Sequence, residues 1–164
     1  MNRIKDILFL VIFIGVLLVA LLSFIDVKDN NQSGSQLLKD KIAEKQSIIR
    51  IKDMEFSSIV ADTINEQRTG LSGKESLPSG TVMLFVFPES TEVGIWMKDM
   101  HFPIDIIWVD EEFRIIHIVQ NVQPETFPEV FKPSTPARYV IEANAGFVSQ
   151  NDITLGDFVN IVEE

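Results

Sequence analysis

The sequence contains no cysteine and only two histidines. A chain without cysteine forms no disulfide, offers no thiolate to a metal ion, and has neither a cysteine nucleophile nor a lipid-modified cysteine. Two imidazoles are too few for a metal site built from several histidines. We therefore predict a domain that folds around its own apolar core, with no metal and no cofactor.

Positive charge is also scarce in this chain. Lysine and arginine number 14 against 24 aspartates and glutamates, which gives a formal net charge of −10. A protein that binds nucleic acid needs a basic surface, and an anionic lipid surface repels an acidic domain. We expect no nucleic-acid partner, and we attribute the acidity to solubility.

One long uncharged apolar run lies at the N-terminus. Ile7 to Ile25 is 19 residues without a charged side chain, which is long enough for a membrane-spanning helix. Arg3 and Lys5 precede it, so the positive-inside rule places the N-terminus in the cytoplasm and the following chain outside. A cleaved signal peptide is the alternative, but its apolar region is usually shorter. We predict an uncleaved single-pass anchor in the cell membrane.

The chain divides into an anchor, a linker and one domain. Residues 1–25 form the transmembrane anchor with a short cytoplasmic N-terminus. Residues 26–46 begin with polar residues typical of a flexible linker and have room for a short helix. Residues 47–164 supply enough chain for one extracytoplasmic domain.

That domain has the pattern of a mainly β protein. Runs typical of strands cover Ile48–Ile51, Phe56–Ala61, Thr81–Phe87, Ile95–Lys98, Ile104–Val109, Phe113–Val122, Ala137–Ala143 and Phe158–Val162. Thr63 and Glu66 have the spacing of a helix capping box, and Gly70 is suited to ending that helix. A second short helix or turn covers residues 146–151. Because strands and helices do not alternate, we predict an antiparallel β-sandwich or partly closed barrel with one or two short helices.

The stretch from Gly94 to Asp110 is the densest apolar run outside the N-terminus, and it contains both tryptophans. It also places Lys98, His101 and Asp105 among large apolar side chains, where charged groups are rare unless they are paired or used. We predict two strands here, joined by a tight link around residues 99–103.

Seven short pieces of sequence resemble one known family in order and spacing. They are Arg68-x-Gly70-Leu71, Met83 to Phe87, Trp96-Met97-Lys98, Pro103 to Ile106, Pro136 to Glu142, Ala145-Gly146 and Gly156-Asp157. Over residues 59–161 the chain is similar to the family called domain of unknown function 192. The resemblance implies a small, mostly β domain, often exported or membrane-anchored, with no established activity. The chain departs from the family at Asp99-Met100, where members commonly carry Asn-Thr.

Polar residues on or beside these pieces are the candidate ligand-binding residues. They are Arg68, Lys98, His101, Asp105, Arg138 and Glu142. One interpretation is an ion-paired cluster that ties the short helix to the sheet, since ionic networks also serve structure. The other is a cleft for a polar or anionic ligand, with arginine as a bidentate donor. For His101, simple hydrogen bonding to carboxylates competes with a role as proton carrier.

Three functions remain open from the sequence. The first is a membrane-anchored extracytoplasmic binding or accessory module for a polar ligand, a glycan or a protein partner. The second is a hydrolase or lyase-like enzyme that uses Asp105 as general acid or base, with Lys98 or Arg138 opposite developing negative charge. The third is a structural cell-surface component. A phosphate-binding glycine loop and the common hydrolase motifs are absent from the sequence, which favours the binding module over the enzyme.

Overall fold

Seven strands and two short helices make up the part of the chain that the structure describes. This structure is a computed structural model, and it describes residues 46–162. The strands are β1 (Gln46–Ile51), β2 (Met54–Ala61), β3 (Thr81–Thr91), β4 (Ile104–Val109), β5 (Ile115–Val122), β6 (Ala137–Asn144) and β7 (Val159–Val162). The helices are α1 (Ile64–Thr69) and α2 (Phe147–Gln150), and Pro124–Thr126 forms one turn of 3-10 helix. The mainly β class with two short helices is confirmed.

All seven strands belong to one mixed sheet, in the order β5-β4-β6-β3-β2-β1-β7. Each neighbouring pair is antiparallel except β2 and β3, which run parallel. The prediction of an antiparallel β-sandwich or partly closed barrel is therefore wrong, because the strands form one open sheet in which β2 and β3 run parallel. The reason lies in residues 62–80, which include α1 and supply the long crossover that parallel strands require.

Within residues 46–162, the backbones of the two ends of the sheet meet at one corner. Residues just before β5 and β7 form an isolated bridge between Arg114 and Phe158. The amide of Gly156 donates to the carbonyl of Ile115 at 2.8 Å, and the amide of Val159 donates to the carbonyl of Phe113 at 2.8 Å. The strand pairing thus leaves the sheet open, with these backbone contacts between its ends.

Apolar side chains cover both faces of the sheet. Along β3, Val82 and Leu84 pack into one core cluster, and Met83 and Phe85 pack into the other. The apolar run of β3 is thus buried on both faces of the sheet. The Phe85 face is covered by Leu71, Leu77 and residues 93–102, while the Leu84 face is covered by α2 and by side chains of the outer strands.

Residues 95–98 do not form the predicted strand. Ile95 makes a single two-hydrogen-bond bridge with Phe131, and the chain then turns through Asp99, whose φ is 57°. An apolar run forms a strand only where a neighbour offers backbone partners, and both sides of β4 are already occupied by β5 and β6. The run from Gly94 to Phe102 therefore packs over one face of the sheet.

The predicted membrane anchor and linker, residues 1–45, lie outside the described residues. Within residues 46–162, neither helix has the length or the apolar character needed to cross a bilayer.

Candidate functional site

A small pocket lies on the sheet face that α1 covers. We call it the Glu142 pocket, and its volume is about 40 Å³. Its walls come from the end of α1 and the following turn, from one residue each of β3 and β6, and from the segment after β3. The lining residues are Gln67, Arg68, Thr69, Gly70, Leu71, Ser72, Phe85, Gly94, Ile95, Trp96, Met100 and Glu142.

Glu142 lies in the middle of the sheet with its carboxyl group in this pocket. Alternation along β6 turns it to the same face as Val140, and its backbone neighbours across the sheet are Met83 and Ile106. The residue is only 5% exposed. Among residues 46–162 its side chain makes no hydrogen bond and no ion pair. Burial therefore raises the pKa of Glu142 to about 8, because the charged form loses water without gaining a partner.

The start of α1 is fixed by local hydrogen bonds that the sequence predicts. The Thr63 hydroxyl accepts from the Glu66 amide at 3.3 Å, and the Glu66 carboxylate accepts from the Thr63 amide at 3.0 Å. Hydrogen bonding to Thr63 lowers the pKa of Glu66. Gln67 anchors the same helix to the sheet, because its side-chain amide donates to the carbonyl of Val86 at 2.8 Å.

Gly70 ends α1 and forms part of the pocket wall. Its φ of 50° and ψ of −131° lie in a region that is open almost only to glycine. A Cβ at this position would stand 3.3 Å from Cζ of Phe85 and 3.9 Å from Oε2 of Glu142. Glycine thus provides both the turn and the open space beside the carboxyl group.

Arg68 and Trp96 provide the exposed polar and aromatic parts of the pocket. Arg68 is exposed, and among the described residues its guanidinium makes no hydrogen bond or ion pair. Trp96 is 43% exposed, in contrast to Trp108, which is fully buried and donates from Nε1 to the carbonyl of Val93 at 3.0 Å. Trp96 is not among the predicted site residues, because composition and strand pattern do not distinguish a tryptophan at the edge of a pocket from a core tryptophan.

Asp105 occupies the opposite face of the sheet. It pairs across the sheet with Ala143, one position from the Ile106–Glu142 pair, and neighbouring positions face opposite sides. Asp105 is 0% exposed, and its two oxygens accept from the amides of Asn121 at 2.8 Å and Val148 at 2.9 Å. The carboxylate thereby holds the irregular end of β5 and the start of α2 to β4. This geometry favours a structural role rather than acid–base catalysis.

The other three predicted site residues lie outside the Glu142 pocket. Lys98 is exposed, and its carbonyl accepts from the Ser72 hydroxyl at 2.9 Å. His101 is exposed with Nδ1 3.0 Å from Oε1 of Glu75. Arg138 donates to the carbonyl of Pro88. The structure therefore brings together two of the six candidates, Arg68 and Glu142.

The chemistry available in the pocket follows from these two groups. A protonated Glu142 can donate one hydrogen bond and accept others, whereas an ionised Glu142 can hold a cation. The guanidinium of Arg68 can pair with a carboxylate. Within residues 46–162, no group of three or more histidine, aspartate and glutamate side chains is placed to hold a metal ion.

Solved structures with the same fold come from proteins without an established activity. A protein from Sinorhizobium meliloti 1021, provisionally described as a transcription regulator, matches with a TM-score of 0.68 and 24% identity over 72% of this chain and 95% of that chain. A protein of unknown function from Novosphingobium aromaticivorans DSM 12444 matches with a TM-score of 0.64 and 26% identity over 70% of this chain and 83% of that chain.

No curated protein matches the sequence significantly. The family model for domain of unknown function 192 (DUF192), described as "Uncharacterized ACR", matches residues 47–161. This span includes all seven strands, both helices and every residue that lines the Glu142 pocket. The chain therefore belongs to the DUF192 family.

Proposed function

We propose that this protein is a membrane-anchored extracytoplasmic module that binds a small polar ligand in the Glu142 pocket. One observation carries the proposal: a carboxyl group that is 5% exposed faces a cavity and has no hydrogen-bond partner among the described residues. Among residues 46–162, no fully buried side-chain oxygen or nitrogen lacks a hydrogen-bond partner, so the Glu142 oxygens reach the open space of the cavity. A ligand that enters the cavity can supply the missing partner.

The contrast with Asp105 supports a binding role for Glu142. Both carboxyl groups are buried in the same sheet, but Asp105 has a backbone amide on each oxygen. The fold can therefore satisfy a buried carboxylate where that carboxylate has a structural task. At Glu142 it places instead a cavity, a glycine and an arginine that has no ion pair within residues 46–162.

The location of the module rests on the N-terminal sequence. Residues 7–25 carry no charge, and Arg3 and Lys5 precede them. This arrangement supports a single membrane span with a cytoplasmic N-terminus and the binding domain outside. A domain with this acidic composition is suited to solubility and gives no basic surface for nucleic acid.

A second candidate function is general acid–base catalysis by Glu142 instead of Asp105. Catalytic acids and bases are often carboxyl groups that line an open cavity and have a pKa raised toward neutrality. The pKa of Glu142, raised to about 8 by burial, fits this role.

A glycan or protein partner would have to reach Glu142 through a narrow substituent, because the pocket is small.

The test is ligand-dependent thermal stabilisation of the purified full-length protein. We would screen glycans, nucleotides, organic acids, amino acids and divalent ions against the native chain, Glu142→Gln and Glu125→Gln. The last variant makes the same change on an exposed glutamate outside the pocket. A ligand that binds the folded state raises the melting temperature.

We expect at least one class to stabilise the native chain and Glu125→Gln but not Glu142→Gln. A screen in which every stabilising compound acts equally on all three proteins would contradict a site at Glu142. Turnover of a stabilising compound that stops in Glu142→Gln would favour the enzyme over the binding module.

A further inference from the structure

We infer that the ligand is a small zwitterion, whose ammonium group enters the pocket toward Glu142 while its carboxylate pairs with Arg68 at the exposed end. This inference rests on the proposed function, since it names the ligand class of the same pocket.

Two groups of opposite character line one cavity without using each other. Arg68 and Glu142 both line the pocket, yet the structure shows no ion pair between them and no hydrogen bond from either side chain to another described residue. Arginine and glutamate side chains in one pocket readily form an ion pair when neither has another partner. A ligand that carries one group of each sign could pair with both side chains.

The size of the pocket limits what reaches Glu142. Its volume is about 40 Å³, and a single water requires roughly 10–15 Å³ on this kind of measure. An ammonium group on a methylene chain fits such a space. A sugar ring or a nucleobase does not, so these ligands would leave the buried carboxyl group unpaired.

The walls of the pocket favour a cation at its inner end. Phe85, Ile95 and Met100 are buried wall residues beside Glu142. Apolar walls strengthen the attraction between an ammonium group and a carboxylate. A lone carboxylate ligand would therefore stay near Arg68, and a lone amine would be repelled by Arg68 as it enters.

Proton linkage gives this ligand class a signature. Among the residues that line the pocket, Glu142 is the one whose pKa is shifted by burial. An ammonium group favours the ionised form of Glu142, whose pKa in the empty pocket is about 8. Below pH 8, binding of the zwitterion therefore releases a proton. Its affinity rises about tenfold for each unit by which the pH increases.

The experiment uses ω-amino acids from glycine to 6-aminohexanoate with the purified full-length protein. Each compound is compared with the carboxylic acid that lacks its amine and with the alkylamine that lacks its carboxylate. The variants are Glu142→Gln and Arg68→Gln, with Glu125→Gln and Arg50→Gln as matched exposed controls outside the pocket. Calorimetry between pH 6 and 8, in buffers of different ionisation heat, counts the protons released.

We expect zwitterions of a limited chain length to raise the melting temperature by several degrees at about 100-fold excess over Kd. At equal concentration, neither the carboxylic acid nor the alkylamine raises the melting temperature of the native chain. Glu142→Gln and Arg68→Gln lose the shift that the zwitterion produces. Up to one proton is released per ligand below pH 8.

Two results would overturn the inference in different ways. If another compound class gives a Glu142-dependent shift and no zwitterion does, the ligand class is wrong and the binding site stands. If no compound gives a Glu142-dependent shift, both proposals fail. The comparison of each zwitterion with its carboxylic acid and its alkylamine uses the native chain alone. Misfolding of Glu142→Gln therefore cannot leave the inference undecided.

Discussion

At the scale of single residues, two buried carboxyl groups in one sheet have opposite environments. Asp105 is held by two backbone amides, and Glu142 has no partner among the described residues. The sequence predicts that both residues matter, because each interrupts an apolar strand. It does not indicate which is satisfied, since the amides of Asn121 and Val148 approach Asp105 only through tertiary folding.

Glu142→Gln should change how stability depends on pH. Because the folded pKa is raised from 4.5 to about 8, the unfolded chain releases this proton first and the native protein loses stability as pH rises between those values. The variant lacks that loss. We expect similar stability at pH 5 and a variant more stable by about 3 kcal/mol at pH 7, measured by urea unfolding. Parallel pH profiles for the two proteins would contradict a desolvated Glu142.

Asp105→Asn should have the opposite effect. The amide can still accept one hydrogen bond, but its NH₂ group faces a backbone N–H and leaves that donor unsatisfied. We expect a loss of about 3 kcal/mol in unfolding free energy, measured by the same urea series at pH 7. A variant as stable as the native protein would show that the two amide contacts contribute nothing.

At the scale of elements, the reliable predictions were those whose causes are local in sequence. The Thr63–Glu66 capping box and Gly70 predict α1, and its observed bounds agree. The alternating or continuous apolar runs predict most strands. Ile95–Lys98 has the apolar pattern of a strand but does not form one. Strand formation requires free backbone partners, and both sides of β4 are already paired. The β2–β3 direction likewise depends on how the crossover packs.

Gly70→Ala tests the element that forms the pocket wall. The new methyl group would meet Phe85 at 3.3 Å in a backbone conformation that disfavours side chains. We expect a loss of about 2 kcal/mol in unfolding free energy and a smaller ligand-induced thermal shift. Gly80→Ala is the matched control, because it also has a positive φ but has no atom within 4 Å of the added Cβ. That variant should lose some stability and keep the full ligand response.

At the scale of the whole molecule, the Glu142 pocket is assembled from distant parts of the chain. Arg68 follows β2, Trp96 follows β3 and Glu142 belongs to β6. Their meeting requires β3 and β6 to be neighbours and α1 to pack on one particular face. The sequence marks Arg68 and Glu142 as candidate site residues together with Lys98, His101 and Arg138. The fold places the last three outside the pocket, and no local pattern in the sequence indicates this.

The proposed membrane topology can be tested because the chain lacks cysteine. Single cysteines introduced by Asn2→Cys and Ser35→Cys flank the predicted anchor. In intact cells, a membrane-impermeant maleimide should label the Ser35→Cys protein, and it should label the Asn2→Cys protein only after permeabilisation. Equal labelling of both proteins in intact cells would contradict a single span with a cytoplasmic N-terminus.

The most direct test of the account is a pH titration of the Glu142 carboxyl carbon by NMR, with ¹³C-labelled glutamate in the full-length protein. The signal that is missing from Glu142→Gln identifies the residue. We predict a midpoint at about 8 in the ligand-free protein, because the carboxyl group is buried and awaits a partner. A midpoint near 4.5, the ordinary value for glutamate, would mean that Glu142 is hydrated or already paired. The claim that this pocket is held ready for a ligand would then be wrong.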